Sequence, residues 1–461
     1  MFDLNFDKKI ALITETSEVC YSELAELSQK IGNAISRRCL VFLLATNSVE
    51  SIAAYIGFLN KKIVPVMIDA ELDISAVKNL IKIYQPQFIF LPSKLKDNFS
   101  YLEILQVGNY NLLATDIEKF FALNDELALL MTTSGSTGSP KFVRQSYKNI
   151  LSNTKSIIEY LALSEKERAI TNLPLSYVYG LSIVNTHIFC GASIVVTNKT
   201  LFQKEFWQLC RSKGITNFNG VPYTFEMLMK LRFFKMNLPT LKKITQAGGK
   251  LSPEIHLKFA EFAIKNNKKF FVMYGASEAT ARMGYLPAEK SMQKIGAMGI
   301  AIPGGKFELE DKEGNLIEKA GEIGELIYYG ENVALGYAES GFDLIKGEEW
   351  NNKLKTGDLA KFDDEGYFTI VGRKKRFLKI FGKRVNLQEV EHIIRQKFDI
   401  EVACAGVDDK LSAFITDKNL IEETALFLSE KLKLHPSAFE VKFIKSIPKN
   451  SAGKIIYHEL F

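Results

Sequence analysis

At 461 residues the chain is longer than one hydrophobic core ordinarily supports, so more than one folding unit is expected. Hydrophobic residues make up 47% and charged residues 24%, as in an ordinary globular protein, and the formal charge of +6 is small for this length. These values, with no basic run interleaved with stacking aromatics, argue against a nucleic-acid partner.

No apolar run is long enough to span a bilayer, and the first residues lack the basic-then-apolar order of a signal peptide. Five scattered cysteines (Cys20, Cys39, Cys190, Cys210 and Cys404) and five scattered histidines offer neither a disulfide framework nor a zinc site. A cytoplasmic protein with reduced thiols is the expectation.

In chain order, Leu40 to Leu44 is a short apolar run of the kind found in buried strands. Ser48 to Leu59 has helical spacing, Ile63 to Ile68 is strand-like, Ile74 to Tyr84 is helical and Phe88 to Leu91 is strand-like again. This βαβαβ order predicts a parallel sheet with helices on its faces. Leu127 to Met131 reads as a further buried strand. The pattern resumes with a helix over Asn149 to Leu161, a strand over Ala192 to Thr197 and a helix over Leu201 to Lys213. From about Gly299 the texture changes to short alternating strands, Lys306 to Glu310 and Glu325 to Tyr329, with hairpin turns at 312–315 and 364–366. After Gly372 a basic cluster, Arg373 to Arg376, precedes a compact α/β segment. The fold class is therefore α/β.

The strand ending at Met131 leads into Thr132-Thr133-Ser134-Gly135-Ser136-Thr137-Gly138-Ser139-Pro140-Lys141, six hydroxyls with two glycines and a lysine. Glycines let backbone N–H groups turn inward, hydroxyls donate further hydrogen bonds, and a lysine adds a point charge: the chemistry of a polyphosphate cradle. The spacing is not that of the Walker loop, which disfavours a P-loop kinase. A flexible Ser/Gly linker is the plainer alternative.

Further along come Tyr274-Gly275-Ala276-Ser277-Glu278, Thr356-Gly357-Asp358, Gly372-Arg373 and Pro448-Lys449-Asn450-Ser451-Ala452-Gly453-Lys454. Taken alone, Tyr274 could be a core tyrosine, Glu278 an exposed residue at a helix start, Thr-Gly-Asp a turn, and Arg373 and Lys454 solvated surface cations. In this order, over nearly the whole chain, the motifs resemble the adenylate-forming superfamily of acyl-CoA synthetases, peptide-synthetase adenylation domains and luciferases.

The resemblance implies a large N-terminal domain of layered α/β sheets with a small β-barrel-like subdomain, residues 1–373, and a small mobile C-terminal α/β domain, residues 374–461, hinged near Lys375. It implies ATP-dependent activation of a carboxylic acid to an acyl-adenylate, then transfer to the thiol of coenzyme A or of carrier-protein phosphopantetheine. Thr133, Ser134, Gly135, Ser136, Thr137, Gly138 and Lys141 would hold the phosphates. Glu278 and Thr137 would hold Mg²⁺, and Ser277, standing where threonine is usual, would donate to the α-phosphate. Gly248, Gly249, Tyr274 and Gly275 would surround adenine, and Asp358 and Arg373 the ribose. Lys454 would assist the first step, and Gly382 would line the thiol tunnel.

The acyl pocket would be walled by Tyr177, Val221 and Ala276, an apolar setting suited to a modest aliphatic or aromatic acid. No acidic residue lies between Thr171 and Cys190, which disfavours an amino acid as substrate, since a buried unpaired ammonium is costly. A stand-alone ligase loading a carrier protein with an amino acid, a luciferase-like oxidase and a non-catalytic nucleotide-binding relative are the alternatives. Phe142 after the loop lysine and Tyr147 depart from the family pattern, in places that bear on the acyl group and its acceptor.

Overall fold

A computed structural model describes residues 1–117, 120–132, 141–374, 376–380, 383–407, 409–432, 434–450 and 453–460. The contacts divide the chain into two compact units: Met1–Phe307 with Tyr328–Leu354, and Glu308–Ile327 with Lys355–Phe461.

The first unit is built on three sheets. The largest has eight strands in the order Gly336–Ala338, Phe142–Ser146, Leu127–Thr132, Val64–Asp69, Leu40–Ala45, Phe88–Pro92, Tyr110–Ala114 and Leu102–Val107. Its centre is parallel: Leu40–Ala45 pairs in parallel with Val64–Asp69 and with Phe88–Pro92, and Val64–Asp69 in parallel with Leu127–Thr132. Leu40–Ala45 is buried along its whole length, so both faces must be apolar, as the unbroken LVFLLA run provides.

Helices make the crossovers. Val49–Asn60 is capped by Ser48, whose side chain accepts from Ser51 N, and Ile74–Tyr84 by Asp73, which accepts from Ser75 N at 2.8 Å. The helix Val49–Asn60 lies so close to Tyr21–Asn33 that a Cβ on Gly57 would stand 2.2 Å from the Ser28 carbonyl oxygen; only glycine permits this approach.

A second sheet orders Asn217–Gly220, Lys243–Gln246, Lys269–Tyr274, Gly284–Leu286 and Ile300–Ala301, the first three parallel and the rest antiparallel. A four-stranded sheet joins Arg168–Ile170, Ser193–Val195, Ile10–Ile13 and Glu18–Cys20. The helices Tyr147–Leu161 and Val178–Phe189 contribute to a core cluster that also holds Val221, Ala247 and Met273.

In the second unit lie most residues of a four-stranded sheet, ordered Gly305–Glu310, Gly324–Gly330, Lys353–Phe362 and Phe368–Arg373. The last two strands pair antiparallel with a bulge between Leu359 and Ala360. A hairpin, Phe377–Ile380 with Lys383–Asn386, leads into the helix Leu387–Phe398, capped by the Asn386 side chain. A three-stranded sheet, Val402–Val407, Lys410–Ile415 and Phe439–Phe443, closes over a core of Leu378, Val390, Ile394, Cys404, Leu411 and Leu428. No helix among the described residues is long and apolar enough to cross a membrane.

Candidate active site

Thr133, Ser134, Gly135, Ser136, Thr137 and Gly138 lie outside the described residues, as do Lys375 and Gly382. The strands on either side of the loop are described: Leu127–Thr132 and Phe142–Ser146 pair antiparallel, with Thr132 opposite Phe142. The loop's root is tied to the second sheet, because Ser277 Oγ donates to the Thr132 carbonyl at 3.2 Å and the Gln145 amide donates to the Ser277 carbonyl at 3.2 Å. Both Ser277 and Gln145 are buried. This cross-tie places Glu278, in the short 3₁₀ turn Ser277–Ala279, beside the loop's root.

The Tyr337 hydroxyl donates to Glu278 Oε1 at 2.8 Å. Burial and the neighbouring Glu278 carboxylate push the Tyr337 phenol well above its usual range, so it stays a donor. Lys141 Nζ stands 3.5 Å from the centre of the same ring and 3.5 Å from Glu339 Oε1. Tyr337 therefore meets the loop lysine on its face and the expected metal-binding carboxylate at its hydroxyl. Sequence reasoning missed this residue; nothing in the spacing from 278 to 337 announces the contact.

Arg144 was also missed. It is fully buried and donates to the carbonyls of Tyr337 at 3.0 Å and Leu335 at 3.3 Å, and it pairs with Glu349. It thereby fixes the backbone that carries Tyr337.

Tyr274 ends the strand Lys269–Tyr274, and Met283 N donates back to its carbonyl at 2.9 Å. The intervening segment folds so tightly that a Cβ on Gly275 would lie 1.7 Å from the Ala281 oxygen. Thr280 sits at φ +62°, uncommon for a β-branched residue, and its hydroxyl is anchored on the Asn332 carbonyl at 2.7 Å. Ala276, half-buried, opens the Ser277–Ala279 turn.

Gly248 lies at φ +86°, and a Cβ there would meet the Tyr177 hydroxyl at 2.7 Å and Val221 Cγ1 at 3.0 Å. A Cβ on Gly249 would meet Pro222 at 3.1 Å. The expected adenine-side glycines thus abut two expected acyl-pocket walls. Burial raises the Tyr177 phenol to about 12.

A cavity of about 20 Å³ opens within the same core cluster, and its walls include Tyr179, Ser182, His187, Asn219, Thr245 and Arg282. The expected wall residue Val221 is apolar, but the adjoining cavity is rich in donors and carries two cations, Lys243 and Arg282. The cause is the polar sequence of the strands Asn217–Gly220 and Lys243–Gln246, which put Asn219 and Thr245 into it.

In the second unit, Asp358 and Arg373 face each other across paired strands and form an ion pair, Arg373 Nε to Asp358 Oδ1 at 2.9 Å. Asp358 is buried while the arginine is largely exposed. Thr356 Oγ1 accepts from Asp358 N and donates to the Leu326 carbonyl at 2.8 Å, which stiffens the turn. Asn450 holds the backbone at Lys454: Gly453 N donates to the Asn450 carbonyl, and Lys454 N to Asn450 Oδ1 at 2.9 Å. The structure thus gathers Lys141, Gly248, Gly249, Tyr274, Gly275, Ala276, Ser277, Glu278, Tyr177 and Val221 in the first unit, and Asp358, Arg373 and Lys454 in the second.

A family model described as "AMP-binding enzyme" matches residues 4–338. The chain belongs to this family. Among curated proteins it is 26% identical to 2-succinylbenzoate–CoA ligase of Oceanobacillus iheyensis over 99% of this chain and 97% of that one. It is 28% identical to oxalate–CoA ligase of Saccharomyces cerevisiae, over 78% of this chain and 68% of the relative. Among solved structures, O-succinylbenzoate coenzyme A synthetase from Bacillus subtilis in complex with AMP superposes with a TM-score of 0.79 at 21% identity, over 98% of this chain and 95% of that one. ATP-bound MatB from Rhodopseudomonas palustris gives 0.80 at 20% identity, over 99% and 96%.

Proposed function

We propose that the residues gathered above carry out the activity of an acid–thiol ligase of the AMP-forming type. The enzyme activates a carboxylic acid with ATP, releases pyrophosphate, and passes the acyl group to a thiol. ATP and Mg²⁺ serve the first step and coenzyme A the second. The observation that carries the residue roles is the cross-tie from Ser277 to Thr132, which seats Glu278 at the root of the hydroxyl-rich loop.

A carboxylate is already ionised at neutral pH and needs no base. The obstacles are repulsion between two anions and charge on the departing pyrophosphate, so the protein's work is positioning and charge stabilisation. A single oriented carboxylate suits Mg²⁺, which prefers one or two carboxylates along with phosphate oxygens and water. Glu278, held by Tyr337, fits that donor set; Thr137 is its proposed companion. Bound Mg²⁺ would neutralise charge on the phosphates.

Lys141 and the loop residues Thr133 to Gly138 grip the phosphates, and Ser277 donates to the α-phosphate once its hydroxyl turns from the Thr132 carbonyl. The glycines at 248, 249 and 275 leave backbone open to the adenine, against which Tyr274 lies. Asp358 and Arg373 take the ribose hydroxyls. Lys454 sets its ammonium where negative charge gathers between the acid and the α-phosphorus. Lys375 is the hinge and Gly382 the tunnel residue of the second step, with the mobile lid comprising residues 374–461.

An amino acid is a poor fit, because no carboxylate lies among the cavity's walls to meet an ammonium. Pyrophosphate release should be followed across a panel of carboxylic acids, with coenzyme A and a phosphopantetheinylated carrier offered in parallel. AMP, pyrophosphate and an acyl-CoA are expected with at least one acid. Thioester formed on the carrier alone would reassign the acceptor, and release of ADP and phosphate would refute the reading.

A further inference from the structure

Arg282 is 3% exposed, and among the described residues it joins no ion pair. Its backbone is pinned: Arg282 N donates to Asn153 Oδ1, and its carbonyl accepts from the Asn153 and Asn332 side-chain amides, both at 2.8 Å. Its guanidinium lies over the Tyr179 ring, 3.9 Å from the centroid. Ring stacking offsets part of the cost of burying a cation, and the Tyr160 and Tyr179 hydroxyls lie within the guanidinium's hydrogen-bonding reach. Arg282 Nε is buried with no hydrogen-bond partner, and so is Asn219 Nδ2; both residues line the cavity.

The cavity's other cation is already answered. Lys243 pairs with the buried Glu167, which also accepts from Thr216 Oγ1 at 2.6 Å. The walls therefore hold two cations, one of them matched by a carboxylate behind the walls, and two unused donors. A buried unpaired guanidinium is costly, and the missing component is an anion that accepts hydrogen bonds.

The cavity adjoins the expected acyl pocket. Tyr179 lies 6.3 Å from Tyr177, the residue against Gly248, and the Arg282 charge is felt at the Tyr177 hydroxyl. Part of its wall comes from the helices Tyr147–Leu161 and Val178–Phe189. At about 20 Å³ it admits the end group of an acid rather than a long chain.

On the ligase reading above, we propose that Arg282, with Asn219, is the acyl-specificity site, and that the acid activated carries a second anionic group: a dicarboxylic acid in the simplest case. The reacting carboxylate meets the nucleotide while the distal one takes the guanidinium Nε–H and the Asn219 amide.

The test is pyrophosphate release with chain-matched pairs, butyrate against succinate and hexanoate against adipate, for the wild type, Arg282→Gln and Arg282→Lys. Thermal midpoint and AMP affinity report the fold. The wild type is expected to favour the diacid by on the order of a hundredfold in kcat/KM, the effect of removing one partner of a buried charge pair. Arg282→Gln should bring the diacid-to-monoacid ratio towards one, with Arg282→Lys between, because lysine keeps the charge and loses the planar fork. A wild type indifferent to the second carboxylate would overturn the assignment even if neither variant folds. So would an Arg282→Gln enzyme that loses both acids of a pair equally. Absence of pyrophosphate release with every acid would sink the ligase reading itself, a result separable from loss of selectivity.

Discussion

At the scale of single residues, the contact that matters most joins Glu278 to Tyr337. A carboxylate that must meet a metal in one orientation gains from a neutral donor that cannot compete as a base, and a buried phenol meets that need. On the proposed role of Glu278, Tyr337 acts through it and is a positioning residue. Tyr337→Phe keeps the ring under Lys141 and removes only the hydroxyl. The Mg²⁺ concentration for half-maximal rate is expected to rise about tenfold, with kcat at saturating Mg²⁺ changed far less. A loss of kcat that added Mg²⁺ does not restore would show that the hydroxyl acts elsewhere. Glu278 stands out in the sequence because it sits in a short motif with Tyr274 and Gly275, and its metal role is part of the proposal. Tyr337 and Arg144 were not, because their roles depend on a strand, Gly336–Ala338, that joins the edge of a sheet far from them in sequence.

At the scale of elements, the helix Val178–Phe189 is hydrophobic nearly all round and carries a buried histidine near its end. His187 Nδ1 lies 2.9 Å from the Ile183 carbonyl, and Nε2 lies 2.8 Å from the Asn217 side-chain amide. Burial lowers its pKa from 6.5 to about 4. The unfolded chain then binds a proton more readily than the folded one below pH 6.5. This contribution to stability is full above about pH 6.5 and is lost as pH falls towards 4, a change of about 3 kcal/mol. His256, lowered to about 4 in the same way, adds a second loss over the same range.

Urea unfolding at pH 7 and at pH 4.5 should therefore show a smaller acid penalty for His187→Gln than for the wild type, even if the variant is less stable at both. An unchanged penalty would mean that His187 titrates normally. Elements of this kind were easier to place than their partners. The helix Ile74–Tyr84 matches its expected span residue for residue, since Asp73 and a run of spaced apolar positions mark it. The helix expected from Asn149 starts at Tyr147, because Ser146 caps it by accepting from Asn149 N. The strand expected over Ala192 to Thr197 shortens to Ser193–Val195 because its ladder with Arg168–Ile170 covers only those three residues.

At the scale of the whole molecule, two half-reactions ask for different surroundings. Adenylation needs a cation at the α-phosphorus; thioester formation needs a path for the thiol. The family resemblance assigns the change to the C-terminal lid, with Lys375 as its pivot. The contact-based division differs from that scheme, grouping 308–327 and 355–373 with the C-terminal segment, so compactness and the proposed pivot are separate properties. Lys454→Ala is expected to slow acyl-adenylate formation by on the order of a hundredfold, the effect of removing one preorganised donor. Lys375→Pro should form acyl-adenylate at a near-normal rate and fail to make thioester. Single-turnover assays of each half-reaction separate these outcomes, and equal loss of both steps in Lys375→Pro would count against the pivot.

The order of motifs made the chemistry legible from sequence, while the polar cavity beside the expected acyl walls was not. Its polar walls come from strand residues, Asn219 and Thr245, whose facing depends on which side of the second sheet the helices cover.

The most direct measurement is exchange of labelled pyrophosphate into ATP, with and without carboxylic acid, in the wild type and in Glu278→Gln. Exchange that requires both the acid and Mg²⁺, and that falls by on the order of a hundredfold in the variant, is the predicted result. Exchange that proceeds without any acid, or that survives intact in Glu278→Gln, would contradict it.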